Sequence, residues 1–82
     1  MSEYQAARAL DKKDPLAEFR THFVLTPNEI YLDGNSLGKL PKAAQKAVQD
    51  TVAKQWGERL IRSWNEVWLE LPSRLAEKYA KL

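Results

Sequence analysis

Cysteine is absent from this chain of 82 residues, which excludes disulfide bonds and metal sites built on thiolates. Histidine occurs once, at His22, and no neighbouring residues supply the second and third ligands of a metal site. No apolar run approaches the roughly 18 residues of a membrane span, and the first residues lack the basic and apolar regions of a signal peptide. We therefore expect a cytoplasmic protein that binds no metal and enters no membrane.

The chain also has no marked excess of positive or negative charge. The 13 basic and 11 acidic residues leave a net charge of +2 and are spread without a basic block, so nucleic-acid binding finds little support. Aromatic residues are plentiful, with three tryptophans, three tyrosines and two phenylalanines. A chain of this size buries only a modest core, and we expect some of that surface to stay exposed unless another chain or further sequence covers it.

The most informative stretch joins a predicted strand to a glycine-containing loop. The bulky residues at 30–32 predict one short, mostly buried strand. Asp33 and Gly34 end it, because aspartate can hydrogen-bond its own turn and glycine tolerates positive φ. A second glycine, Gly38, keeps the backbone irregular until a helix begins. The loop at 33–40 therefore lies between a strand and a helix, which is a common place for a ligand.

Three interpretations of this loop remain open from its residues. Asp33, Asn35 and Ser36 could simply belong to an ordinary strand-to-helix turn. Residues 34–38 also match G-x-S-x-G, the nucleophile elbow of serine hydrolases. An elbow requires its helix to begin at the serine and a histidine later in the chain, whereas His22 precedes Ser36. The third interpretation is a family resemblance, which depends on a second block further along the chain.

A short first helix is predicted at Tyr4 to Leu10, and a second helix covers 14–24. Asp14 followed by Pro15 is typical of an N-cap and a proline at the first helical position. His22 lies on the half-apolar face of this helix. Histidines in such places are more often structural than catalytic, so we do not assign His22 to an active site.

Two further helices are predicted at 41–56 and 72–82. The first carries a continuous apolar stripe and ends at Gly57, which stands where a C-terminal glycine cap belongs. The second begins near its proline, because proline is tolerated in a first helical turn. The stripe consists of Ala44, Ala47, Val48, Thr51, Val52 and Trp56. The chain is therefore predicted to be mostly α-helical.

Residues 31–38, Tyr-Leu-Asp-Gly-Asn-Ser-Leu-Gly, resemble the N-terminal signature of the kynureninases, pyridoxal-phosphate (PLP) enzymes of tryptophan breakdown. Residues 56–65 resemble a second block of the same family at a matching spacing, and residues 71–75 resemble a third more weakly. The resemblance implies that 1–82 is an N-terminal arm or small-domain segment of a longer enzyme. The complete enzyme would have the α/β PLP-dependent transferase fold type I, as a homodimer with its active site at the subunit interface.

The resemblance also implies a reaction, the hydrolysis of L-kynurenine to anthranilate and L-alanine. The lysine that holds PLP and the other cofactor-binding residues would lie beyond residue 82, so the segment alone is expected to be inactive and to hold no catalytic residue. Its contribution would be to substrate binding. Ser36 matches the serine that lies against the aromatic end of the substrate, with Asn35, Gly34 and Gly38 shaping its loop. Trp64 matches the position beside the substrate ring.

Trp64 also carries the prediction of substrate preference. From its residue type alone it would be a core or interface aromatic, or a flat surface for stacking. Animal members of the family that favour 3-hydroxykynurenine have histidine here, and tryptophan is typical of bacterial members that prefer kynurenine. The resemblance therefore implies kynurenine as the substrate. The chain departs from the family in a gap between Trp64 and Trp68 that is one residue shorter, and in Ala76, where glycine is common.

A second hypothesis, from another class of protein, also accounts for the tryptophans. Trp56, Trp64 and Trp68 could form the anchoring patch of a stand-alone helical protein-interaction module. Such a module would fold alone, melt cooperatively and bind a protein partner. An arm of a larger enzyme would instead be poorly ordered in isolation and would bind no PLP by itself.

Overall fold

A computed structural model describes residues 1–82 and divides them into two units, Met1–Gln45 and Lys46–Leu82, each of which is described by itself. Helical turns of three kinds account for all of the named elements, and the prediction of a mostly helical chain is confirmed. The predicted strand at 30–32 is wrong, because no strand forms. No helix is long and apolar enough to cross a membrane.

The first unit opens with helix α1, Glu3–Lys12. Its first turn is closed by a capping box, in which the Ser2 hydroxyl accepts from the Gln5 backbone N–H at 3.1 Å and the Gln5 side chain accepts from the Ser2 N–H at 2.9 Å. Glu3 in the first turn and Lys12 in the last complement the helix dipole. Local chemistry is therefore sufficient to start and to end this helix.

A short 3₁₀ helix, Ala17–His22, stands where the sequence predicted a longer helix over 14–24. Asp14 does accept a backbone N–H, that of Leu16 at 2.9 Å, but the bond spans only two residues and closes an Asx turn. The Thr21 hydroxyl donates to the carbonyl of Glu18. Such local side-chain bonds compete with the longer-range bonds of an α-helix, and the tighter helix results.

Residues 30–32 are extended but unpaired, and Ile30 and Leu32 are each 87% exposed. The only β pairing is an isolated antiparallel bridge between Phe23 and Pro41, beside which the Val24 N–H donates to the Leu40 carbonyl at 2.9 Å. Bulky residues favour a strand only where a neighbouring strand pairs with them. Proline has no N–H to donate, so this bridge does not extend into a ladder.

Helix α2, Lys42–Asp50, is followed directly by π-helical turns over Thr51–Trp56. A π-helix is wider than an α-helix because its hydrogen bonds span five residues and not four. The bond at the end of this stretch does so, since the Gly57 N–H donates to the Val52 carbonyl at 3.0 Å. Gly57 is the C-cap residue of this stretch, as predicted, but its angles are right-handed, φ −62° and ψ −42°, and not the left-handed angles of the usual glycine cap. Positive φ occurs instead at Leu60, at 52°, and, in the first unit, at Asn28, at 59°.

The second unit continues with another π-helical stretch, Trp64–Trp68, and with helix α3, Leu71–Ala80. Pro72 lies in the first turn of α3, where the N–H that proline lacks would have had no intrahelical partner. Across the chain no hydrophobic residue is buried, and Ser63 is the single buried side chain, at 0% exposure. The expected surplus of exposed apolar surface is therefore present.

Candidate functional site

The loop that carries Ser36 is organised by Asp33. The Ser36 hydroxyl donates to a carboxylate oxygen of Asp33 at 2.9 Å. The backbone N–H groups of Ser36 and Leu37 both donate to the Asp33 carbonyl, at 3.0 and 3.3 Å. An ionised carboxylate can only accept, so the serine proton is directed at Asp33 and the serine lone pairs remain free. Ser36 is thus prepared to accept a hydrogen bond from a ligand.

Tyr31 closes the same loop from outside. Its hydroxyl lies 2.6 Å from the Leu37 carbonyl and 3.1 Å from the Asp33 carbonyl, so one phenol holds the two ends of the turn. Lys39 lies over the Tyr31 ring, with its Nζ 4.9 Å from the centroid, and pairs with Glu29 at 3.0 Å. These contacts hold the turn at its predicted place, although the predicted strand before it does not form.

The remaining predicted loop residues are less constrained. The Asn35 side chain makes no hydrogen bond within the chain and is exposed. Neither Gly34 nor Gly38 has positive φ, and a Cβ added at either would meet nothing within 4 Å. Their predicted role in shaping the loop stays a prediction, since within this chain neither position requires a glycine.

The serine-hydrolase interpretation lacks its geometry. The helix after Ser36 begins at Lys42 and not at the serine. The Ser36 hydroxyl bonds Asp33 and no histidine. His22 is exposed, and its ring lies 5.6 Å from that of Phe19. In the serine-hydrolase triad the base is a histidine within hydrogen-bond reach of the serine, and here that place is taken by the Asp33 carboxylate.

Trp64, the other predicted substrate-side residue, is held through its backbone. Its N–H donates to the Ile61 carbonyl at 3.1 Å, and its carbonyl accepts from the Leu69 N–H at 3.0 Å, a π-helical bond. The side chain is 51% exposed and its indole N–H has no partner in the chain. The ring is therefore available for an external contact, and π-helical turns are frequent at functional sites.

Gln55 ties the segment on both sides of Trp64. Its backbone carbonyl accepts from the Ser63 hydroxyl at 2.7 Å, and its side-chain oxygen accepts from the Trp68 indole N–H at 2.7 Å. These are the two side-chain hydrogen bonds of the chain that are partly buried. We refer to Gln55, Ser63 and Trp68 as the Gln55 cluster.

An ion pair crosses the same segment. Arg59 donates from Nε and Nη2 to the two carboxylate oxygens of Glu66, at 2.5 and 2.6 Å. The hydrogen bond from Arg59 is the main reason that the pKa of Glu66 lies below its ordinary value of 4.5; desolvation opposes the shift and the charge of Arg59 adds to it. The same bond raises the pKa of Arg59. The pair fixes the turn geometrically but is solvent-exposed, so it contributes little to stability.

Ser36 belongs to the first unit and Trp64 to the second. That the two line one cavity stays a prediction. The structure also reveals residues that the sequence patterns missed, namely the Gln55 cluster and the Arg59–Glu66 pair. Opposite charges seven residues apart offer a weak signal for that pair. No periodicity connects Gln55 with Trp68, which is thirteen residues away.

PLP is the cofactor implied by the family resemblance, and the residues present do not by themselves fit it. PLP enzymes use a lysine amine that can form a Schiff base. Lys39 is the one lysine that is not fully exposed, and its amine is engaged by Glu29 and by the Tyr31 ring. The other lysines lie on open surface: Lys12, Lys13, Lys42, Lys46, Lys54, Lys78 and Lys81.

Fold and site together define the chain as a helical segment that has two organised loops and no hydrophobic core of its own. No protein-family model matches it. It is 49% identical over 83 residues to kynureninases of Burkholderia mallei and Burkholderia pseudomallei, which covers 100% of this chain and 20% of each relative. It is also 49% identical over 75 residues to a kynureninase of Pseudomonas fluorescens, covering 90% of this chain and 18% of that protein. The chain is thus similar to kynureninases along its whole length, and it spans about a fifth of the length of these relatives.

Proposed function

We propose that this chain forms the substrate side of a kynureninase, an enzyme that hydrolyses L-kynurenine to anthranilate and L-alanine with PLP. The observation that carries the proposal is the 49% identity with kynureninases along the whole chain. PLP, when bound, supplies an electron sink for the carbanion at the substrate Cα. The complete enzyme would be a cytoplasmic homodimer of PLP fold type I, with its cofactor-binding residues outside this segment.

Ser36 and Trp64 would hold the aromatic end of the substrate. Kynurenine carries an aryl amine, which is a hydrogen-bond donor. The Ser36 hydroxyl gives its proton to Asp33 and keeps its lone pairs free, which suits it to accept from that amine. Trp64 presents a half-exposed ring with no internal partner, which suits it to contact the substrate ring. Asn35, exposed beside Ser36, offers further donors and acceptors.

A chimeric enzyme tests the proposal in a complete protein. In this chimera the matching stretch of the Burkholderia pseudomallei kynureninase is replaced by residues 1–82. We expect the chimera to bind PLP and to release anthranilate from kynurenine, as measured by anthranilate fluorescence. A chimera that folds and binds PLP but releases no anthranilate would contradict the proposal.

The assignment of Trp64 has its own test. An indole offers little to a substrate hydroxyl, whereas a histidine can hydrogen-bond it. Trp64→His in the chimera should move the ratio of kcat/KM for kynurenine over 3-hydroxykynurenine by about tenfold toward the hydroxylated substrate. Trp56→His, at an exposed tryptophan outside the predicted site, is the matched control and should leave the ratio unchanged. An equal ratio in both variants would remove Trp64 from the site.

The isolated chain separates the enzyme segment from an interaction module. A segment without a core should show no sharp cooperative melting when it is followed by near-ultraviolet circular dichroism. Cooperative melting together with specific binding of a protein partner would favour the helical interaction module.

A further inference from the structure

Gln55 accepts hydrogen bonds from residues on both sides of Trp64. One comes from Ser63, immediately before Trp64, and the other from Trp68, four residues after it. We infer that Gln55 is a positioning residue that sets the orientation of Trp64 and, through it, the preference between aryl substrates. The inference rests on the proposed function, since it assumes that Trp64 contacts the substrate ring.

The reason lies in how little else orients Trp64. Its indole N–H has no hydrogen-bond partner in the chain, so no polar contact of the ring holds it, and the ring moves with the backbone that carries it. That backbone is part of the π-helical stretch Trp64–Trp68, whose last residue is tied to the Gln55 side chain. If that bond is lost, the exposed Arg59–Glu66 pair is the remaining side-chain bond on this stretch, and the far end of the stretch moves more freely.

Burial distinguishes the Gln55 cluster from the other polar contacts. Ser63 is the one fully buried side chain, and Gln55 and Trp68 are half-buried. A hydrogen bond sheltered from water is stronger, and a partner left unpaired there is more costly, than at an exposed site. The Arg59–Glu66 pair spans the same turn, but it is exposed and weak. The cluster is therefore the main restraint on the turn that carries Trp64.

The first measurement uses substrate selectivity in the chimera. Gln55→Met keeps the length of the side chain and removes the oxygen that accepts from Trp68. We expect the ratio of kcat/KM for kynurenine over 3-hydroxykynurenine to fall by about fivefold, the effect of one lost hydrogen bond. This ratio does not depend on how much enzyme is folded. Gln49→Met, at an exposed glutamine with no side-chain hydrogen bond, is the matched control and should not change it.

A second measurement asks whether Gln55 acts through Trp64. In a Trp64→His background, Gln55→Met should produce no further change in the ratio, because the residue that it positions is gone. The same fivefold change in both backgrounds would show that Gln55 acts independently of Trp64 and would overturn the inference.

Hydrogen exchange separates this inference from the proposed function, because it needs no substrate. In the intact chimera, peptides that contain the amides of Trp64 and Leu69 should exchange faster in Gln55→Met than in Gln49→Met. Equal exchange in the two variants would overturn the inference even if the chimera were active. A chimera that lacks kynureninase activity would instead overturn the proposed function, and the exchange rates would still decide whether Gln55 restrains Trp64.

Discussion

The two segments predicted to contact substrate are held together in different ways. In the loop around Ser36, the side-chain hydrogen bonds of Tyr31 and Ser36 link residues at most six positions apart, and the exposed Lys39–Glu29 ion pair links residues ten positions apart. In the segment around Trp64, side-chain bonds also link residues seven, eight and thirteen positions apart. Short loops close at low entropic cost, and the cost rises with the length of chain enclosed. The Ser36 loop is therefore expected to form locally, and the Trp64 segment to depend on several distant contacts at once.

The largest expected effect comes from adding a methyl group at Gly57, in the segment around Trp64. A Cβ added at Gly57 would lie 2.5 Å from the Ala53 carbonyl oxygen, so the π-helical turn must shift. We expect Gly57→Ala in the chimera to destabilise this turn by about 2 kcal/mol, as overpacking does elsewhere. Hydrogen exchange of peptides within 55–69 measures the loss.

The matched control for that change lies in the other segment. At Gly38 an added Cβ meets nothing within 4 Å and φ is not positive. Gly38→Ala should therefore leave the exchange of the Ser36 loop unchanged. Equal effects of the two substitutions would show that the segments do not differ as described.

A smaller loss is expected when a buried bond is removed. Ser63→Ala deletes the donor to the Gln55 carbonyl and should cost about 1.5 kcal/mol in local stability of the chimera. Amide exchange in 55–69 again reports it. Ser73→Ala, at an exposed serine of α3 with no side-chain hydrogen bond, is the control and should be neutral. A neutral Ser63→Ala would remove the buried bond as a source of restraint.

Tyr31→Phe likewise removes a hydroxyl donor, here from the loop around Ser36. The phenol bonds two carbonyls of an exposed turn, so its loss should cost about 1 kcal/mol and raise KM for kynurenine while kcat changes little. Steady-state kinetics of the chimera measure both constants. Tyr4→Phe, in α1, is the control, since the Tyr4 hydroxyl contacts only Arg8. If kcat fell and KM stayed constant, the phenol would have a role other than holding the loop.

The smallest effect is a pH dependence from Glu66. The hydrogen bond from Arg59 lowers the pKa of Glu66 in the folded chain, so the stabilisation is fully present above the ordinary value of 4.5 and is lost as pH falls through the lowered pKa. Amide hydrogen exchange of peptides within 55–69 in the chimera, corrected for intrinsic rates, should therefore increase as the pH falls through the lowered pKa of Glu66. Glu66→Gln should abolish this step, and a step of the same size in that variant would assign it to another group.

The sequence correctly predicted those features that are determined by residues close to one another along the chain. It located the helical stretches near 41–56 and 72–82 and the loop with Asp33 beside Ser36. The resemblance of two blocks at a fixed spacing pointed to the kynureninases, to which the whole chain is 49% identical, and composition could not do this.

The features that the sequence missed depend on pairing across distance or on backbone detail. Residues 30–32 have strand-forming side chains, and whether they pair is decided by a partner strand that is absent from this structure. The change from α- to π-helical turns at Thr51 and the positive φ of Leu60 have no local signal, since glycine is the residue expected at such angles. The sequence placed Gly57 at the cap correctly, but it gave no sign that the cap has right-handed angles.

The bond between Trp68 and Gln55 gives the molecule an internal reporter. Of the three indole protons, those of Trp56 and Trp64 face no acceptor within the chain, and that of Trp68 is engaged. In a nuclear magnetic resonance spectrum the Trp68 signal should persist after transfer to heavy water while the other two fade. Its lifetime then measures, without any label, how long the Trp68–Gln55 bond of the segment around Trp64 stays formed.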